Sequence, residues 1–218
     1  MGSLLIILGM TYLCYLAQIL VHCCVHRAFF NGSKPWNRRL GRILSISQLQ
    51  SFLGWRMAHM MHHRFCATAR DPHLVDRPLI PYLFTHYPRV AKASWVGLGP
   101  FVLENMWVPI CFGTIWLGSW SLGYGSTGAH WALLYWILPA VLSHLLVAHF
   151  NYWTHVNLGP KRRENTRSGY SGIWRVINKL TLNFYLHAEH HLHPGEIIPR
   201  RREGEHFEFP MAGISPTS

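Results

Sequence analysis

Residues 3–26 read SLLIILGMTYLCYLAQILVHCCVH, and the two ends of this stretch say different things. Ser3 to Val21 is almost wholly apolar and has the length that spans a bilayer core of roughly 30 Å as a helix. His22 and His26 follow without a break, four apart and therefore on one face of the same helix. No basic residue precedes the run and no small-residue cleavage site follows it, so it reads as a retained membrane helix and not as a cleaved signal. A span that ends in a pair of imidazoles sets the question for the rest of the chain.

Three further blocks answer it: His59-Met60-Met61-His62-His63, Asn151-Tyr152-Trp153-Thr154-His155 and His187-Ala188-Glu189-His190-His191. The candidate metal ligands are therefore His22, His26, His59, His62, His63, Asn151, His155, His187, His190 and His191. Asn151 and His155 repeat the four-residue spacing. In each H-x-x-H-H block the spacings of three and four put all the histidines toward one side of a helix, with Glu189 on the other. Imidazole is the usual protein ligand for Zn, Fe, Cu and Ni. Nine imidazoles are too many for one ion and fit two, with four or five each and positions left open for dioxygen. Other metal sites fit less well. H-E-x-x-H is absent, structural zinc usually includes Cys, and haem needs one or two axial histidines. Soluble di-iron bundles use Glu and Glu-x-x-His, and none of the nine acidic residues sits at the ligand positions of these blocks.

The composition is that of a membrane protein. Half of the 218 residues are hydrophobic and 13% are charged, against about 25% in soluble domains. The net charge of +11 is unevenly spread: Lys and Arg are absent from 1–26 and 93–160 and gather at 27–42, 56–92 and 161–202. Alternating apolar and basic zones put the polar parts on one side of a membrane. Nucleic-acid binding wants a soluble basic face and leaves the apolar stretches without a reason. The five cysteines form no C-x-x-C pair and read as small buried hydrophobes, not a disulfide framework.

The expected architecture is all-α and multi-pass. Residues 3–21, Ser94 to Tyr124 and Trp131 to Phe150 are the three spans, the last with a kink at Pro139. Residues 43–58 form an amphipathic surface helix, and Ile173–Leu186 forms a helix that delivers the last block. Arg27, Lys34, Arg38, Arg39 and Arg42 behind the first span put that end in the cytoplasm. All four blocks then lie in a cytoplasmic helical cap. Residues 1–202 make one domain and 203–218 a polar tail. Glu104 and His144 are polar groups in spans, each with two open readings, a role in the site or a bond between helices. His73, His86, His130, His149 and His206 carry no assignment; His193 is a candidate to support a ligand.

The order H-x-x-x-H, H-x-x-H-H, membrane hairpin, H-x-x-H-H resembles the membrane fatty acid desaturase and hydroxylase superfamily, over about residues 15 to 200. The flanking text agrees: His22 to Phe30 (HCCVHRAFF), Trp55 to Arg64 (WRMAHMMHHR), Asp71-Pro72-His73, and Asn183 to Pro194 (NFYLHAEHHLHP). The resemblance implies two irons held by the histidines, dioxygen as co-substrate, and a double bond introduced into a fatty acyl or other lipid chain. It also implies that Asn151 acts through a water. Hydroxylation or ketolation of an alkyl, acyl or carotenoid substrate is the alternative, since Asn151 to Gly159 (NYWTHVNLG) is similar to a block of alkane hydroxylases and His-Leu-His-Pro to carotenoid ketolases. The second box lacks the extra residue of the alkane hydroxylases. A non-enzymatic membrane metal-binding protein is the rival from another class. Family members usually carry two spans before the first box and one fits here, so the chain is a short member or begins late. It carries no fused electron-donor domain. Electrons are expected from a separate protein of the cytochrome b5, ferredoxin or rubredoxin type, with Lys161-Arg162-Arg163 and Arg200-Arg201-Arg202 facing that carrier or anionic head groups.

Overall fold

Apolar patterning decides where the helices run, and a few polar side chains decide where they stop. The computed structural model describes residues 2–95, 97–158 and 166–201. The helices are α1 (Gly2–Val25), α2 (Lys34–Ser47), α3 (Phe52–Phe65), α4 (Leu79–Ala93), α5 (Leu98–Asn105), α6 (Trp107–Ser121), α7 (Thr127–Ala132), α8 (Leu138–His155), α9 (Ile173–Leu180) and α10 (His187–Leu192). Among the described residues there is no strand, only an isolated bridge between Ser168 and Leu186. The chain is all-helical, as its sequence implies.

Among the described residues two stretches are long and apolar enough to cross a membrane, Gly2–Gly32 and Thr127–His155. The second is one continuous helical run in which α7 and α8 are joined through a wider π turn at Leu133–Ile137. The cause lies just beyond it. Pro139 has no N–H to give, and its ring meets the carbonyl four residues back, at Tyr135. The stretch from Ser94 to Tyr124 is two helices rather than one. Pro109 breaks the ladder back to Asn105, where α5 ends. The 15 residues of α6 cover ~22 Å, short of a bilayer core of roughly 30 Å. The apolar side chains of α6 are nonetheless exposed, among them Ile110, Trp116, Leu117 and Trp120, as are Leu4, Leu5, Ile6 and Leu8 on the first half of α1.

The stretch 43–58 is also broken. α2 ends at Ser47, Leu49 takes a left-handed conformation (φ 53°), and α3 starts at Phe52. Gln48 lies in the break and is fully buried. Its Nε2 donates to the Cys14 carbonyl at 2.7 Å, its Oε1 accepts from Ser143 Oγ at 3.1 Å, and its backbone carbonyl accepts from His144 Nε2 at 2.8 Å. One residue therefore ties α1 to α8. Of the two readings of His144, the bond between helices is the one observed. Glu104 resolves the same way: it accepts from Arg42 Nε at 2.7 Å, Ser51 Oγ at 2.8 Å and the Leu53 N–H at 2.7 Å. It caps α3 and ties it to α2 and α5.

α1 packs on α2 and α8, and α4 packs on α8. At Gly41 a Cβ would sit 2.2 Å from the Phe52 ring, so only glycine lets α2 approach the start of α3. The core holds Tyr15, Ile19, Phe52, Trp55, Val147, Phe150 and Phe184, and gathers the C-terminal half of α1, all of α3 and the end of α8 around one interior. α9 ends at Leu180, six residues before the expected Leu186. Leu182 and Asn183 have φ of 51° and 60° and turn the chain, so the last histidine block begins a helix of its own. Gln48→Leu removes three side-chain bonds in a buried junction and is expected to cost about 1–3 kcal/mol. The check is a lowered unfolding midpoint in mild detergent, and an unchanged midpoint would contradict the role.

Candidate metal centre

Four short helical segments converge at one end of the core. The C-terminal turns of α1 bring His22 and His26, α3 brings His59, His62 and His63, the end of α8 brings Asn151 and His155, and α10 brings His187, His190 and His191. The nine imidazoles fall into two groups whose nitrogens lie within 4.8 Å of one another: His22, His26, His59, His63 and His190; and His62, His155, His187 and His191. Each H-x-x-H-H block is divided between them. Pairs four apart (His22/His26, His59/His63, His187/His191) share a group, while His62 and His190 cross to the other. The reason is helical: adjacent residues such as His62 and His63 point 100° apart, so one block straddles two centres instead of facing one side.

The distances say what the groups are for. His59 Nε2 lies 2.8 Å from His26 Nε2 and 2.9 Å from His63 Nε2. His187 Nε2 lies 3.2 Å from His155 Nε2 and 3.1 Å from His191 Nε2. A ring nitrogen offers one proton or one lone pair, so hydrogen bonding alone does not satisfy two such neighbours. A first-row ion ~2.1 Å from each nitrogen sets ligand nitrogens at right angles ~3.0 Å apart, close to the spacing observed. Both nitrogens of His22, and Nε2 of His62 and His190, are buried without a hydrogen-bond partner. The donor set fits a pair of cations.

Burial, reinforced for most by neighbouring imidazoles, holds His59, His62, His187, His190 and His191 well below the ordinary histidine pKa. Burial takes His63 down to about 4. The rings are therefore neutral at ordinary pH, the form that binds metal. Asp71 accepts from His62 Nδ1–H at 2.9 and 3.0 Å, and from the N–H groups of Ala67 and His73 at 3.0 and 2.8 Å. It fixes the tautomer of His62 and leaves Nε2 for the centre, the arrangement that raises ligand basicity in metal–histidine–carboxylate triads.

Asn151, the tenth candidate, stands one turn before His155 on α8. Its Nδ2 donates to the Val147 carbonyl at 3.1 Å and stands 3.3 Å from His86 Nε2, and it lines a cavity beside His22, His59 and His187. Glu189 faces away from the centres and accepts from Ser168 and Tyr170 hydroxyls. Sequence reasoning missed three participants. Asp71 stood in a quoted motif without a role. His73 and His86 carried no assignment, yet both are buried and pair Nδ1 to Nε2 at 2.8 Å beside His62. The legible signal for Asp71 was a carboxylate nine residues after His62 in an acid-poor chain. Of the basic triplets, Arg200 and Arg201 are exposed, with Arg201 over the Tyr170 ring. Lys161, Arg162, Arg163 and Arg202 lie outside the described residues, as do His206 and the 203–218 tail.

The chain matches the fatty acid desaturase family over residues 1–199. No curated protein matches it, and no solved structure does.

Two outcomes follow from this geometry. Asp71→Ala frees the His62 ring and is expected to weaken metal binding about 10–100-fold, read by chelator competition; Glu189→Gln, facing away, leaves affinity unchanged, and equal effects would refute the triad. The second concerns pH. Burial holds His63 at about 4 and His86 at about 3, against about 6.5 unfolded, so the unfolded chain binds more protons between these values. Metal-free protein is therefore expected to keep this stability above pH about 6.5 and lose it as pH falls toward 4 and then 3. A midpoint that does not move across that window would contradict the assignment.

Proposed function

The chain belongs to the fatty acid desaturase family, and from that premise we propose that it is an oxygen-dependent di-iron enzyme that introduces a double bond into a lipid chain in the membrane. Membership carries the coarser activity, oxidoreduction of the desaturase and hydroxylase type. The observation that supports the finer reading is the division of nine clustered imidazoles into a five and a four. His22, His26, His59, His63 and His190 would hold one iron, and His62, His155, His187 and His191 the other. When bound, the iron pair supplies oxygen activation strong enough to take hydrogen from an unactivated C–H bond.

The chain's own residues do the rest. Asp71 keeps His62 oriented, and Asn151, one turn before His155 on α8, acts on the centre through a water. Trp55, Val147, Phe150 and Phe184 wall the cavity beside His22, His59 and His187 and keep bulk water from the site. α1 and the α7–α8 run cross the bilayer, and α5 with α6 completes a third crossing whose exposed Trp side chains suit the interface. The basic residues behind the first box put the boxes on the cytoplasmic side. There a separate carrier of the cytochrome b5, ferredoxin or rubredoxin type delivers electrons, with the exposed Arg200 and Arg201 available to an acidic partner. Hydroxylation or ketolation would use the same ligands and differ in the fate of the substrate radical.

Lipid analysis of expressing cells, supplied with a matching electron donor, tests the reading. Desaturation removes two hydrogens from the product and hydroxylation adds an oxygen. His62→Ala and His190→Ala each remove a ligand from a different group and are expected to abolish either product while the protein still inserts. Full activity in either variant would sink the assignment.

A further inference from the structure

Two side chains beside the centre that only donate through their nitrogens have no acceptor among the described residues. Gln18 lies one helical turn before His22 on α1 and is 1% exposed. Its Oε1 accepts from Gln50 Nε2 at 2.6 Å, which leaves its own Nε2 buried and unpaired. Trp55 on α3 is 6% exposed and its Nε1–H is likewise buried and unpaired. An indole N–H only donates, so the missing partner is an acceptor. Both side chains line one cavity, together with His22, His59, His73, His187 and Asn151, and the His73 Nε2 there is unpaired as well.

The size of that cavity narrows the partner. It measures about 10 Å³, room for a single oxygen atom and not for a chain. Trp55 is also a wall of a second cavity of about 160 Å³, lined by Leu49, Gln50, Tyr87, Val90 and Ser94. Gln50, which holds the Gln18 carbonyl, belongs to this larger space. Trp55 is the wall the two cavities share, so a mostly apolar body in the large one lies a single side chain away from the small one, where an oxygen would meet two donors and four histidines. A plain hydrocarbon segment would leave both donors buried and unsatisfied, a penalty that separates such ligands strongly.

We infer that Gln18 and Trp55 form a carbonyl-binding pocket beside the metal centre, and that the substrate is an oxygen-bearing lipid with a carbonyl close to the carbon that reacts. This rests on the oxidoreductase reading above and narrows its substrate class. Gln18 and Trp55 determine specificity, and Gln50 positions the Gln18 amide.

The test uses iron-loaded full-length protein in mild detergent, with hexadecane and hexadecan-8-one as a matched pair of probes and iron content measured on the same samples. Apparent affinities come from the concentration dependence of the unfolding midpoint. Partition into detergent is common to all proteins, so the ketone-to-alkane ratio is compared between them. The ratio in the wild type is expected to exceed that in Gln18→Met about tenfold, as for loss of a buried hydrogen bond. Trp55→Phe keeps the ring, removes the N–H, and is expected to lower the ratio as well; it decides the matter if Gln18→Met does not fold. The same ratio in wild type and variants, as a resident water would give, overturns the inference even with iron present. Wild type that takes up no iron yet prefers the ketone supports the pocket and refutes the di-iron reading instead.

Discussion

Nine imidazoles gathered nitrogen against nitrogen at one end of the core create a demand that no group among the described residues fully meets. Each unpaired buried nitrogen costs about 1–3 kcal/mol, and several share one corner of the fold. Protonation does not relieve them, because burial depresses the pKa of the rings outside the spans. A pair of cations does, drawing each group together at the spacing observed. The remaining architecture can be understood as the means of bringing four helical segments to that corner.

Those means are mostly single polar side chains placed where helices end. Gln48 joins α1 to α8, Glu104 caps α3 and reaches α2, and Asp71 holds the loop after α3 while orienting His62. In an apolar setting such bonds have no competition from water, so a few of them fix positions that a larger number of apolar contacts would leave adjustable. The apolar contacts supply the envelope: Phe150 stacks on Phe184 at 4.0 Å between ring centres, close against His22 and His187.

The candidate site was more legible in the sequence than the fold. The ten candidate positions could be read from spacing, because i to i+4 repeats are a local property of a helix and the histidines are far more frequent than a core requires. Their division into two groups was not read, although the 100° between adjacent residues implies it for His62 and His63. The helix boundaries went wrong where a local breaker or a tertiary bond decides: Pro109 splits the middle apolar stretch, Gln48 interrupts residues 43–58, and the left-handed Leu182 and Asn183 end α9 early. Hydropathy averages over such breaks. Asp71, His73 and His86 were passed over because their roles depend on contacts that form only when α3 and α4 meet, and Gln18 because its pairing with Gln50 spans a break that sequence does not announce.

The central claim is that two groups of histidines hold two irons. Elemental analysis of the protein, expressed with iron and purified in mild detergent, tests it most directly. The account predicts about two irons per chain. A single zinc, or no metal above background, would contradict it and leave a membrane protein whose histidines serve another purpose.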